Sequence, residues 1–91
     1  MILTTTNSIE GHKIEGYLGI VTGISVASYG IFSGNIDVIV NKVKEQAFQK
    51  LQNNAIKLKA NAIVGILVDI EVLDQRYKVI ASITGTAVKV I

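Results

Sequence analysis

Ninety-one residues with a net charge of +2, 49% apolar content, five aromatic side chains and no cysteine or proline exclude disorder, collagen-like repeats and a disulfide scaffold. Nine Lys/Arg against seven Asp/Glu leave a surplus of two, spread from Lys13 to Lys89 with Arg76 the single arginine, which argues against a nucleic-acid partner. No apolar stretch approaches the length of about 20 residues that a membrane span needs, and the first six residues lack the pattern of a signal peptide, so cytoplasmic residence and no membrane contact are expected.

A single domain over 1–91 is expected, and a chain this small buries only about 60–65% of its unfolded surface. Part of its aliphatic content is therefore expected to face a partner. In chain order, Ile2 to Thr6 is a short β-prone run, and Glu10-Gly11-His12-Lys13 follows as a turn. From Ile14 to Ser28 the chain alternates: Ile14, Leu18, Ile20, Ile24 and Val26 share one face. Gly16, Gly19, Gly23, Ser25 and Ala27 form the other, leaving room for a close-approaching backbone. A strand of fifteen residues is long, so a bulge is expected at one of these glycines.

A loop from Tyr29 to Gly34 leads to Asn35 as N-cap, with Asp37 in the first helical turn. Ile36, Ile39, Val40, Val43, Ala47, Leu51, Ala55 and Leu58 then recur at steps of three and four, which predicts a long amphipathic helix. Period two returns from Ala62 to Leu73, placing Val64, Ile66, Val68, Ile70 and Val72 on one face and Ile63 and Leu67 on the other. A turn at Asp74-Gln75 and a last strand from Tyr77 to Ile91 complete an antiparallel hairpin. The expected order is β-β-α-β-β, an α+β domain with one helix across an antiparallel sheet. One helix covers one face, and a second copy of the chain is the simplest cover for the other.

Candidates for chemistry are few. His12 is the single histidine, so no His–His metal pair forms within one chain. Asp69 and Glu71 stand at i, i+2 on one strand face, a spacing that suits a hard cation or a general base and equally suits a solvated surface. These three residues are the metal candidates, and no catalytic set accompanies them. Neither a dinucleotide fingerprint nor a Walker spacing is present, so no cofactor is expected.

The runs Thr4-Thr5-Thr6, Ile9-Glu10-Gly11, Tyr17-Leu18-Gly19-Ile20-Val21-Thr22-Gly23, Ala60-Asn61-Ala62-Ile63-Val64-Gly65 and Gly85-Thr86-Ala87-Val88 resemble the YbjQ-like family, small proteins labelled as heavy-metal-binding domains. The resemblance implies a dodecin-like α+β subunit that assembles as a ring-shaped homopentamer, without an established activity. Compared with the family pattern, the loop between Tyr29 and Asn35 is short. Acidic residues are expected where this chain has Ile24 and Leu67, Asp69 matches a further acidic position, and a glycine is expected at Lys59. The leading function class is a non-enzymatic oligomeric binding protein, taking a metal ion or small anion between subunits. A structural or protein-interaction module without a ligand is the alternative, and an enzyme using Asp69 or Glu71 as base is the least supported.

Overall fold

The computed structural model describes residues 1–29 and 36–91, with the Arg76 side chain excepted. Its elements are β1 (Ile2–Leu3), β2 (Ile14–Ser28), α1 (Ile36–Lys57), β3 (Ala62–Leu73), a 3-10 turn (Asp74–Arg76) and β4 (Lys78–Val90). The expected order holds. The loop and Asn35 cap expected before the helix lie, from residue 30 on, outside the described residues.

The sheet runs β1-β3-β4-β2. It is mixed rather than antiparallel, because β1 pairs parallel to β3 through Ile2↔Ala62 and Leu3↔Ile63. The long helix intervenes between those two strands, so the chain re-enters the sheet from the same end. The β-prone run expected over residues 2–6 is a strand only at Ile2–Leu3. Beyond it the backbone still docks on β3: the Ile66 N–H donates to the Thr4 carbonyl at 3.1 Å and the Gly65 N–H to the Thr6 carbonyl at 2.8 Å.

Gly65 changes the reading of β3. Its φ of 61° and the register shift between Val64 and Leu67 mark a bulge. A bulge inserts one residue into the alternation, so the two halves of the strand present opposite parities. Ile63 and Ile66 both pack under the helix, whereas Val64 turns to the other side with Ala62, Val88 and Val90. The expectation that Val64 shares the face of Ile66, and that Ile63 faces away from the helix, is thereby corrected. β4 keeps strict alternation: Val79, Ala81, Ile83 and Ala87 line the helix side, and Val88 and Val90 the other.

The helix buries Val43, Ala47, Leu51 and Ala55, the centre of the predicted stripe. It lies mainly over β2 and β4 and less over β3. Close approach to β2 depends on Gly23, where an added Cβ would collide with the backbone of Ala47 and Leu51. Of the small-residue face expected to admit a close backbone, Gly23 does so, whereas nothing comes near Gly16; the bulges of β2 fall between Ile14 and Gly16 and between Tyr17 and Gly19. A second, smaller core gathers Ala62, Val64, Val88 and Val90 under Ile2, Ile9 and Ile14. The chain's own N-terminal segment thus covers one end of the sheet face that the helix leaves open.

Candidate functional site

The rest of that face remains open, and strand register defines its rows. Thr86 lies between Ile20 and Val64, Thr84 between Thr22 and Leu67, Ser82 between Ile24 and Asp69, and Ile80 between Val26 and Glu71. The hydroxyl side chains of β4 in these rows, Thr86, Thr84 and Ser82, are flanked by Ile20, Thr22 and Ile24 of β2 and by Val64, Leu67 and Asp69 of β3. Ile20 is 82% exposed, Leu67 73%, Val26 53% and Ile24 50%. Four large aliphatic side chains are thus exposed on one sheet face, interspersed with the hydroxyls of Thr22, Ser82, Thr84 and Thr86.

Asp69 and Glu71 do share this face, as the i, i+2 spacing requires, and both are exposed. His12 sits elsewhere, in the exposed turn after β1, where its N–H donates to the Ile9 carbonyl at 3.1 Å. Lys13, next to it, pairs with Ile91, whereas Asp69 stands opposite Ser82. Nine residues of extended chain separate those points, roughly 30 Å at about 3.3 Å per residue. The candidate ligands are therefore not brought together, and among the described residues no group of three His, Cys, Asp or Glu could hold a metal ion. Of the three positions where the family pattern leads one to expect acids, 24 and 69 flank Ser82 and 67 lies in the adjoining row. Only Asp69 is acidic here.

Two features lie outside the sequence expectations. At the hairpin tip the Tyr29 hydroxyl donates to Asp74 Oδ1 at 2.9 Å, and its N–H donates to the Tyr77 carbonyl at 2.8 Å. The rings of Tyr29 and Tyr77 meet edge to face at 5.7 Å. Partial burial first, then the bond to Asp74 and its negative charge, raise the Tyr29 hydroxyl above its ordinary 10.0. An open cavity beside this cluster is lined by Val72, Leu73, Asp74 and Gln75, none of them a predicted ligand. Secondly, a polar ridge of the helix grips β2. The Ser25 hydroxyl donates to Gln46 Oε1, Lys50 Nζ to the Ile24 carbonyl and Asn54 Nδ2 to the Thr22 carbonyl, at 2.8, 2.9 and 2.8 Å. Residues 46, 50 and 54 are spaced by four, so helical periodicity could have grouped them.

A family model described as "Putative heavy-metal-binding" matches residues 1–41 and 33–91. The chain belongs to this YbjQ family. A curated relative, UPF0145 protein jk0060 of Corynebacterium jeikeium (strain K411), is 37% identical over 97% of each chain. That alignment runs to 102 positions, longer than this chain, so the relative carries residues that this YbjQ family member lacks. The two stretches of the family match meet at 33–41, beside the loop that is short in the sequence. The fold is shared with a crystal structure of a protein of unknown function from the DUF74 family of Pediococcus pentosaceus ATCC 25745. The TM-score is 0.81 at 23% identity, covering 100% of this chain and 98% of that one. Among the described residues, no helix is long and apolar enough to cross a membrane.

Proposed function

We propose that this chain is the building block of a closed, dodecin-like homo-oligomer, a pentameric ring, that holds a small ion between subunits and catalyses no reaction. The observation that carries this reading is the open sheet face with Ile20, Ile24, Val26 and Leu67 exposed. Leaving that surface in water forfeits about 25 cal/mol per Å², which association recovers. Size and shape agree: the accessible surface is 5908 Å², against about 5200 Å² for a monomer of this mass. Five as the closing number rests on the family resemblance.

A binding site between subunits is part of the same reading: among the described residues one chain brings no three His, Cys, Asp or Glu together, so a metal ion would need donors from more than one copy. The donor inventory, carboxylates with a single imidazole and no thiolate, suits a hard cation or an anion held by lysines better than a thiophilic metal. Calorimetric titration of the purified protein with Zn(II) is expected to show no sub-micromolar site at one ion per chain. Tight stoichiometric binding defeats this, and His12→Ala then shows whether a ring of imidazoles is responsible. The alternative is a structural or protein-interaction module with no small-molecule ligand. Elemental analysis combined with native mass spectrometry separates the two readings.

A further inference from the structure

Besides the open sheet face, a second apolar surface stays uncovered. Because the helix lies mainly over β2 and β4, the helix side of β3 is only partly roofed, and Val68 and Val72 there are 43% and 41% exposed. A groove of about 320 Å³ opens beside them, lined by Leu3, Thr4, Thr5, Phe48, Ile66 and Val68. Lys44 stands one helical turn before Phe48 and shares its flank of the helix, half-buried on the groove side. The two apolar surfaces lie on opposite sides of the sheet: Leu67 belongs to the open face and Val68, next in the chain, to the groove. A single chain cannot bring them together.

We infer that the assembly is built from one repeated head-to-tail contact, in which Ile20, Ile24, Val26 and Leu67 on the open face of one copy cover the groove, Val68 and Val72 of the next. The inference rests on the oligomer proposed above and names the surfaces that meet in it. A contact between unlike patches repeats around an axis and closes as a ring, and it buries both apolar surfaces of every copy at once. Charge runs in the same direction. Asp69 and Glu71 lie on the open face, and the contact carries them toward the helix flank that bears Lys44.

Two-fold contacts fit these surfaces less well. Open face against open face covers the aliphatic side chains but leaves the groove, Val68 and Val72 in water. It also brings together Asp69 and Glu71 from both copies, and among the described residues the one cation that alternation in β4 places on that face is Lys78. Groove against groove leaves Ile20, Ile24, Val26 and Leu67 bare and sets the two Lys44 flanks facing each other. Either two-fold contact strands one apolar surface, whereas the contact between unlike surfaces strands neither.

The chain has no cysteine, so one can be introduced on each surface of the full-length protein without a competing thiol. The double variant Ile24→Cys/Val68→Cys, treated with a short bismaleimide, is expected to give a ladder of covalent multimers on a denaturing gel, ending at the mass of the closed ring. Each single variant should remain one chain on the same gel, and an equal mixture of the two should stop at dimers. Both positions are partly exposed in the single chain, so the urea midpoints should match the wild type. The pair Val26→Cys/Val72→Cys samples the contact nearer the hairpin tip and serves should the first pair misfold. Dimers from either single variant mean a two-fold contact and overturn the inference. An assembled wild type in which neither pair cross-links overturns it too, because the groove then belongs to another occupant or to water. A wild type at the mass of one chain by native mass spectrometry removes the assembly itself and this contact with it, a result distinct from the other two.

Discussion

Lys59 is the residue at which a local rule is broken most plainly. Its φ is 64°, the left-handed region where a side chain costs about 1 kcal/mol relative to glycine. The helix end imposes this conformation: the Ala60 N–H donates to the Ala55 carbonyl and the Lys59 N–H to the Ile56 carbonyl, the paired bonds of a Schellman cap. Lys59→Gly should therefore stabilise the protein by about 1 kcal/mol in reversible urea melts, and a destabilised variant would refute the strain. Tyr29 supplies a second test. Its hydroxyl is raised above 10.0 in the fold, so the folded chain keeps that proton longer than the unfolded one. The stability it contributes is complete below about pH 10 and is lost as pH climbs through the folded value. The gap in urea midpoint between the wild type and Tyr29→Phe should accordingly shrink above pH 10, and a gap that widens contradicts the assignment.

Among the elements, the helix was the most legible and β3 the least. Spacing of three and four places Val43, Ala47, Leu51 and Ala55 on one stripe whatever they pack against, and all four are buried. Period two in β3 would predict one parity throughout, but the αL residue at Gly65 resets it half-way. Glycine marked the position as permissive without saying that a bulge forms there. That reset decides which substitutions strike the core. Ile66 is 3% exposed beneath the helix and Leu67 points out to the open face. Ile66→Glu should cost at least about 3 kcal/mol and abolish cooperative unfolding, because a carboxylate is buried without a partner. Val68, which the uninterrupted pattern would place equally deep, is a weaker position at the under-covered margin of the helix.

At the scale of the molecule the fold is elongated, with extents of 49 × 23 × 16 Å and a radius of gyration of 15.1 Å. A compact chain of this length is expected near 12 Å. The single helix covers one side of the sheet, and among the described residues nothing from the same chain covers the other side at Ile20, Ile24, Val26 and Leu67. Leu67→Glu should leave the subunit's own stability within about 0.5 kcal/mol, since the residue is at the surface of the single chain. It should nonetheless keep the chain from forming the proposed ring. Light scattering behind size exclusion checks both: the wild type above the mass of one 9.8 kDa chain, the variant at it. A wild-type chain that runs as a folded monomer at micromolar concentration defeats the oligomer.

Element order, the helix and its buried stripe, the small face of β2 and the lack of a thiolate set were determined by the sequence alone. They depend on periodicity and on which atoms the side chains carry, and neither needs long-range information. Tertiary structure decided the rest. The parallel pairing of β1 with β3 joins residues some sixty positions apart, which no local pattern encodes. The separation of His12 from Asp69 and Glu71 follows from strand register, and the Tyr29–Asp74 contact from where the hairpin tip meets the end of β2. The grip of Lys50 and Asn54 on the β2 backbone arises because the helix lies off-centre over the sheet, and off-centre packing is a property of the assembled layers.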